Sequence, residues 1–99
     1  EGYLTLRGFE RVLIGTGLHI QVPEGYEIQI RDKTANVLKK GLLVAGSPIT
    51  VDAKYKGELG ITLINNTPFL SKIILGEVIA QGVASRIQHI IWEQEKDSQ

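Results

Sequence analysis

The chain has 99 residues and a mass of 10.9 kDa, with 11 basic and 11 acidic side chains and so no net charge. That is enough for one domain, and area scaling gives roughly 5,600 Å² of folded surface against about 16,000 Å² unfolded, a small core that association would help. Neutrality argues against a nucleic-acid binder held by excess positive charge, the lack of cysteine excludes disulfides and zinc–thiolate sites, and no apolar run approaches the ~18 residues of a membrane helix.

In chain order, the apolar residues recur with period two. Tyr3–Leu6 and Arg11–Ile14 open the pattern; Leu18-His19-Ile20-Gln21-Val22 and Glu27-Ile28-Gln29-Ile30-Arg31 alternate without a fault. Each predicts a strand with one wet and one dry face. Further strands are expected at Gly41–Val44, Ile49–Val51, Glu58–Ile64, Lys72–Leu75, Ile79–Ala84 and Arg86–Trp92. Turn signals separate them: Pro23-Glu24-Gly25, Ala45-Gly46-Ser47-Pro48, Asn65-Asn66-Thr67-Pro68 and Leu75-Gly76. One segment breaks the period. Residues 34–40 predict a single short helix, with Thr34 as N-cap, Lys39 and Lys40 in the last turn and Gly41 at the C′ position. The amino end of that helix is an expected anion site. The fold class is therefore all-β, a small barrel or sandwich with one short helix. Residues 1–92 form the single domain and Glu93–Gln99 a polar tail. Trp92 is expected in the core or at a subunit interface. His19 and His89, Arg86 and Glu77 receive no role, and Lys39 and Lys40 read as a solvated helix face.

The segment richest in chemistry is Val51-Asp52-Ala53-Lys54-Tyr55-Lys56-Gly57-Glu58-Leu59. Read from residue types alone it is a hairpin whose Asp stabilises a turn. It also closely resembles the third conserved motif of the trimeric dUTPase family. Ile14-Gly15-Thr16-Gly17-Leu18 and Val22-Pro23-Glu24-Gly25-Tyr26 are similar to the strand pair before that family's second motif. Arg31-Asp32-Lys33-Thr34-Ala35-Asn36 falls where motif two belongs, and Gly76-Glu77-Val78-Ile79-Ala80-Gln81 where motif four belongs. Order and spacing agree from about Leu6 to about Val83.

The resemblance implies a dUTPase-like distorted barrel or jelly-roll with one short helix, a homotrimer with sites between subunits, and a deoxyuridine nucleotide as ligand. It implies that Asp52 orients or activates the attacking water and contacts the sugar 3′-hydroxyl, and that Tyr55 packs under the deoxyribose. Lys33 and Thr34, with backbone N–H groups from Ala35 onward, would hold phosphate, and Gln81 would assist. Mg2+ is implied if the chain is catalytic, although no residue here is expected to ligate a metal. A first-motif Asp and a Gly-rich carboxyl-terminal arm have no counterpart within the 99 residues, Asp32 stands where it would repel phosphate, and Val78 replaces an Arg. These departures predict impaired or absent catalysis, in a trimmed piece of a complete enzyme or in a divergent member. The alternatives are a non-catalytic protein that binds a nucleotide or a protein partner, and a structural trimer. Nucleic acid and membrane are not expected partners. A cytoplasmic or otherwise intracellular setting, with viral origin open, is the expected location.

Overall fold

A computed structural model of the chain describes residues 2–95. These form eight strands and one helix: β1 (Tyr3–Leu6), β2 (Arg11–His19), β3 (Tyr26–Asp32), α1 (Thr34–Lys40), β4 (Leu42–Val44), β5 (Ile49–Val51), β6 (Glu58–Asn65), β7 (Ser71–Ile74) and β8 (Ala80–Arg86). The all-β class with one short helix holds. All pairings are antiparallel, in three small sheets ordered β1-β7, β2-β6-β4 and β5-β3-β8.

Alternation sets the core. In β6 the side chains of Leu59, Ile61, Leu63 and Asn65 point inward in turn, as a half-buried strand requires. They meet Leu6 and Ile73 from the first sheet, Leu42 and Val44 from β4, and Ile30 and Val51 from the third sheet. Each such side chain stabilises the fold by about 1.5–3 kcal/mol relative to exposure. Leu59–Ile64 therefore packs largely within its own chain.

Three boundaries differ from expectation. β2 runs unbroken from Arg11 to His19 and then leaves the sheet, so Ile20–Val22 is not a strand. Its pairing with β6 loses register between Gly15 and His19, where an irregularity absorbs the Gly-Thr-Gly stretch. The chain after Arg86 forms no strand over Ile87–Glu95, and Trp92 is 86% exposed, so it is not core. Part of the expected polar tail, residues 96–99, lies outside the described residues.

Helix α1 spans the expected residues. Its N-cap is Lys33, with no side-chain cap, rather than Thr34. Gly41 ends it in the left-handed conformation, with φ 66°, and a Cβ there would stand 2.2 Å from Cγ2 of Thr67. Both conformation and space require glycine. Among the described residues no helix is long and apolar enough to cross a membrane.

Candidate functional site

At one end of the β5-β3-β8 sheet, β5 carries the chain to buried Val51, opposite Ile28, and releases it into a turn at Asp52. The turn closes on itself. The N–H of Tyr55 donates to the Asp52 carbonyl at 3.1 Å, and the N–H of Lys54 donates to Oδ1 of Asp52 at 3.0 Å. Asp52 remains exposed, so its carboxylate is both oriented and accessible. Tyr55 packs partly buried against the core, and its hydroxyl donates to the Glu58 carbonyl at 2.5 Å. That bond anchors the hydroxyl end of the ring. The irregular stretch of β2 is bolted alongside: Gly17 N–H donates to Oε2 of Glu58 at 2.8 Å, and Oγ1 of Thr16 donates to the Leu59 carbonyl at 2.7 Å.

At the other end, β3 delivers Lys33, Thr34 and Ala35, all exposed, to the start of α1. The Lys33 carbonyl accepts from Asn36 N–H at 2.9 Å and Val37 N–H at 3.2 Å. Helix geometry leaves the N–H groups of Thr34 and Ala35 without an intrahelical acceptor. Gln81 in β8 pairs with Arg31 in β3, which sets it beside this end. Asp32 is bonded into the fold. Its Oδ1 accepts from Val44 N–H at 2.5 Å, and its own N–H donates to Oγ of Ser47 at 3.1 Å. The carboxylate is turned inward to tie β3 to β4.

One copy of the chain does not bring these two sets together. Val51 faces Ile28, and Lys33 lies five residues further along β3. At ~3.3 Å per residue that separates the two sets by about 17 Å. Between β2, β3, β7 and β8 runs an open groove of about 750 Å³, lined by Ile14, Ile28, Ile61, Ile73 and Ile79 and reaching Gln81. Neither Asp52 nor Tyr55 borders it. Its lining is largely apolar, with Thr16, Glu77 and Gln81 among its polar side chains.

Residue types alone missed three side chains. Lys40, expected to be merely solvated, donates through Nζ to the Glu77 carboxylate and to the Lys72 carbonyl. Nδ2 of Asn36 donates to the Val78 carbonyl at 2.7 Å. The hydrogen bond from Ile74 N–H, followed by the Lys40 ammonium, holds the Glu77 carboxyl below its ordinary pKa. The four-residue spacing of Asn36 and Lys40, which puts both on one helix face, was the available signal.

The model of the dUTPase family matches residues 2–99. The chain belongs to the dUTPase family. A deoxyuridine 5′-triphosphate nucleotidohydrolase from Hydrogenobaculum sp. (strain Y04AAS1) is 49% identical over 83 residues, covering 84% of this chain and 58% of the relative. The enzyme of the same name from Aquifex aeolicus (strain VF5) is 44% identical over 90 residues, covering 91% and 60%. The chain thus spans about 60% of the length of these curated relatives. The fold is shared with a Staphylococcus bacteriophage 80alpha dUTPase solved with dUpNHpp, at a TM-score of 0.84 and 22% identity, over 97% of this chain and 72% of that one.

For a dUTPase-family chain, a hard divalent cation would need several oxygen ligands. Among the described residues no three His, Cys, Asp or Glu side chains converge. Near the start of α1 the carboxylates are Asp32, committed to Val44, and Glu77, committed to Ile74 and Lys40. The residues present therefore do not fit a protein-held Mg2+.

Proposed function

We propose that this chain is the β domain of a deoxyuridine triphosphate nucleotidohydrolase, hydrolysing dUTP to dUMP and pyrophosphate at sites built between copies in a homotrimer. The observation that carries the reading is the Asp52–Tyr55 turn, which presents an oriented, accessible carboxylate beside a ring anchored through its hydroxyl. In the reaction Asp52 takes a proton from water. The water oxygen bonds to phosphorus, the α–β bridging P–O bond breaks, and pyrophosphate leaves. The Tyr55 ring packs under deoxyribose, where a 2′-hydroxyl would clash. Lys33, Thr34, the Ala35 N–H and Gln81 from a neighbouring copy hold the phosphates by charge and hydrogen bonds. Mg2+ enters this reading as part of the nucleotide substrate.

Two observations support assembly between copies. The two sets of residues are about 17 Å apart along β3. The chain also leaves a large apolar groove open while Ile90, Ile91 and Trp92 stand 64%, 88% and 86% exposed. The geometry gives no support to impaired catalysis through Asp32, since that carboxylate is spent on Val44 N–H.

The test is dUTP turnover by the full chain at stoichiometric concentration with Mg2+, separating dUTP from dUMP by anion exchange. Wild type converts dUTP. Asp52→Asn slows conversion by on the order of 10²–10⁴-fold, and Tyr55→Ala erodes preference over UTP. A wild type that neither converts nor binds dUTP sinks the reading.

A further inference from the structure

We infer that Asn36 and the Lys40–Glu77 pair are positioning residues that hold the phosphate-facing start of α1 in register with Gln81. This inference rests on the nucleotide reading above and adds to it residues that the motif resemblance leaves without a role.

The argument starts from what fails to hold the helix. None of the seven α1 residues is fully buried, and a helix this short is marginal on its own. Apolar packing therefore contributes little to its seat. Polar contacts do the rest. Asn36 and Lys40 lie four residues apart, on one face. Nδ2 of Asn36 donates to the Val78 carbonyl at 2.7 Å. Nζ of Lys40 donates to Oε2 of Glu77 and, at 3.0 Å, to the Lys72 carbonyl. The other carboxylate oxygen of Glu77 accepts from Ile74 N–H at 2.9 Å, and Glu77 N–H donates to the Ile74 carbonyl at 2.9 Å. The turn between β7 and β8 is thus closed on itself and gripped by successive turns of the helix.

The grip is placed where it matters. Lys33 is three residues before Asn36, and Gln81 is three residues after Val78. On the far side, Arg31 pairs with Gln81 across β3 and β8. The segment from Lys33 to Asn36 and the segment from Val78 to Gln81 are therefore fastened at both ends. The Lys40 and Glu77 side chains are 32% and 23% exposed, so the pair is screened less than a fully solvated one. Asp52 and Tyr55 sit at the opposite end of β3. Loosening the grip should weaken phosphate binding and leave base and sugar recognition alone.

The test is calorimetric titration of the full chain with deoxyuridine, dUMP and a non-hydrolysable dUTP analogue. Wild-type affinity rises with added phosphate. Asn36→Ala and Lys40→Met each lower affinity for the triphosphate analogue about tenfold and leave deoxyuridine affinity unchanged. Alanine is a better helix former than asparagine, so a loss in Asn36→Ala comes from the missing bond. Lys40→Arg keeps the charge and restores most of the affinity. Amide hydrogen exchange over residues 35–39 quickens in both weakened variants. Equal losses along the whole ligand series would mark a merely structural role and overturn the inference. A rising wild-type series left intact in both variants overturns it alone, and a wild-type series that does not rise overturns the nucleotide reading with it.

Discussion

Asn65 is fully buried and is the polar hub of the fold. Its Nδ2 donates to the carbonyls of Leu6, Arg7 and Phe69 at 3.1, 3.1 and 2.7 Å. Its Oδ1 accepts from the N–H and the hydroxyl of Thr67 at 3.1 and 2.8 Å. One side chain thereby satisfies the loop from Asn65 to Phe69 and the exit of β1. Removing it leaves several buried groups unpaired, each costing about 1–3 kcal/mol. Asn65→Ala should lower stability by on the order of 3 kcal/mol or more, read as a drop in the urea midpoint at fixed chain concentration. The composition of Asn65-Asn66-Thr67-Pro68 signalled a turn. It did not signal which Asn turned inward, because both have the same local propensity.

At the scale of elements, the β7–β8 turn and α1 depend on each other through Glu77. Its carboxyl is held below the ordinary value of 4.5, first by Ile74 N–H and then by Lys40. A lowered pKa means the folded state binds the proton less readily than the unfolded one. The stabilisation is complete above about pH 4.5 and is lost as pH falls from there through the lowered value. Urea midpoints of wild type and Glu77→Gln should differ by a constant amount near neutrality and converge below pH 4.5. A gap that persists in acid would show that the ion pair contributes nothing. The elements themselves were largely legible. Period-two alternation located β1, β3, β5 and β6 to within a residue or so, and the short helix was found by its break in that period and by Gly41. The last strand was not: Ile87–Trp92 has strand-forming residues and no partner strand among the described residues.

The whole molecule is more extended than its length requires. Its radius of gyration is 17.4 Å, against about 12.6 Å for a compact domain of this size. Its accessible surface is 7676 Å², against the ~5,600 Å² expected from mass. The excess is apolar where Ile90, Ile91 and Trp92 are laid bare, and each such side chain is worth about 1.5–3 kcal/mol when buried. Sedimentation of the wild type should give a trimer, and a chain carrying both Ile91→Glu and Trp92→Glu should shift toward smaller species. A wild-type monomer at micromolar concentration would rule out sites shared between copies.

Strand periodicity and turn residues by themselves determined the all-β class and the helix, because these signals are local and each residue type carries its own backbone preference; the run from Val51 to Leu59 pointed to the family only through its resemblance to a known motif. Tertiary structure decided what depends on distant pairs. It turned Asp32 toward Val44, recruited Lys40 and Glu77 across 37 positions into one contact, and separated Asp52 from Lys33 along β3. Those outcomes follow from which strands lie side by side, and antiparallel register places together residues that no spacing along the chain connects.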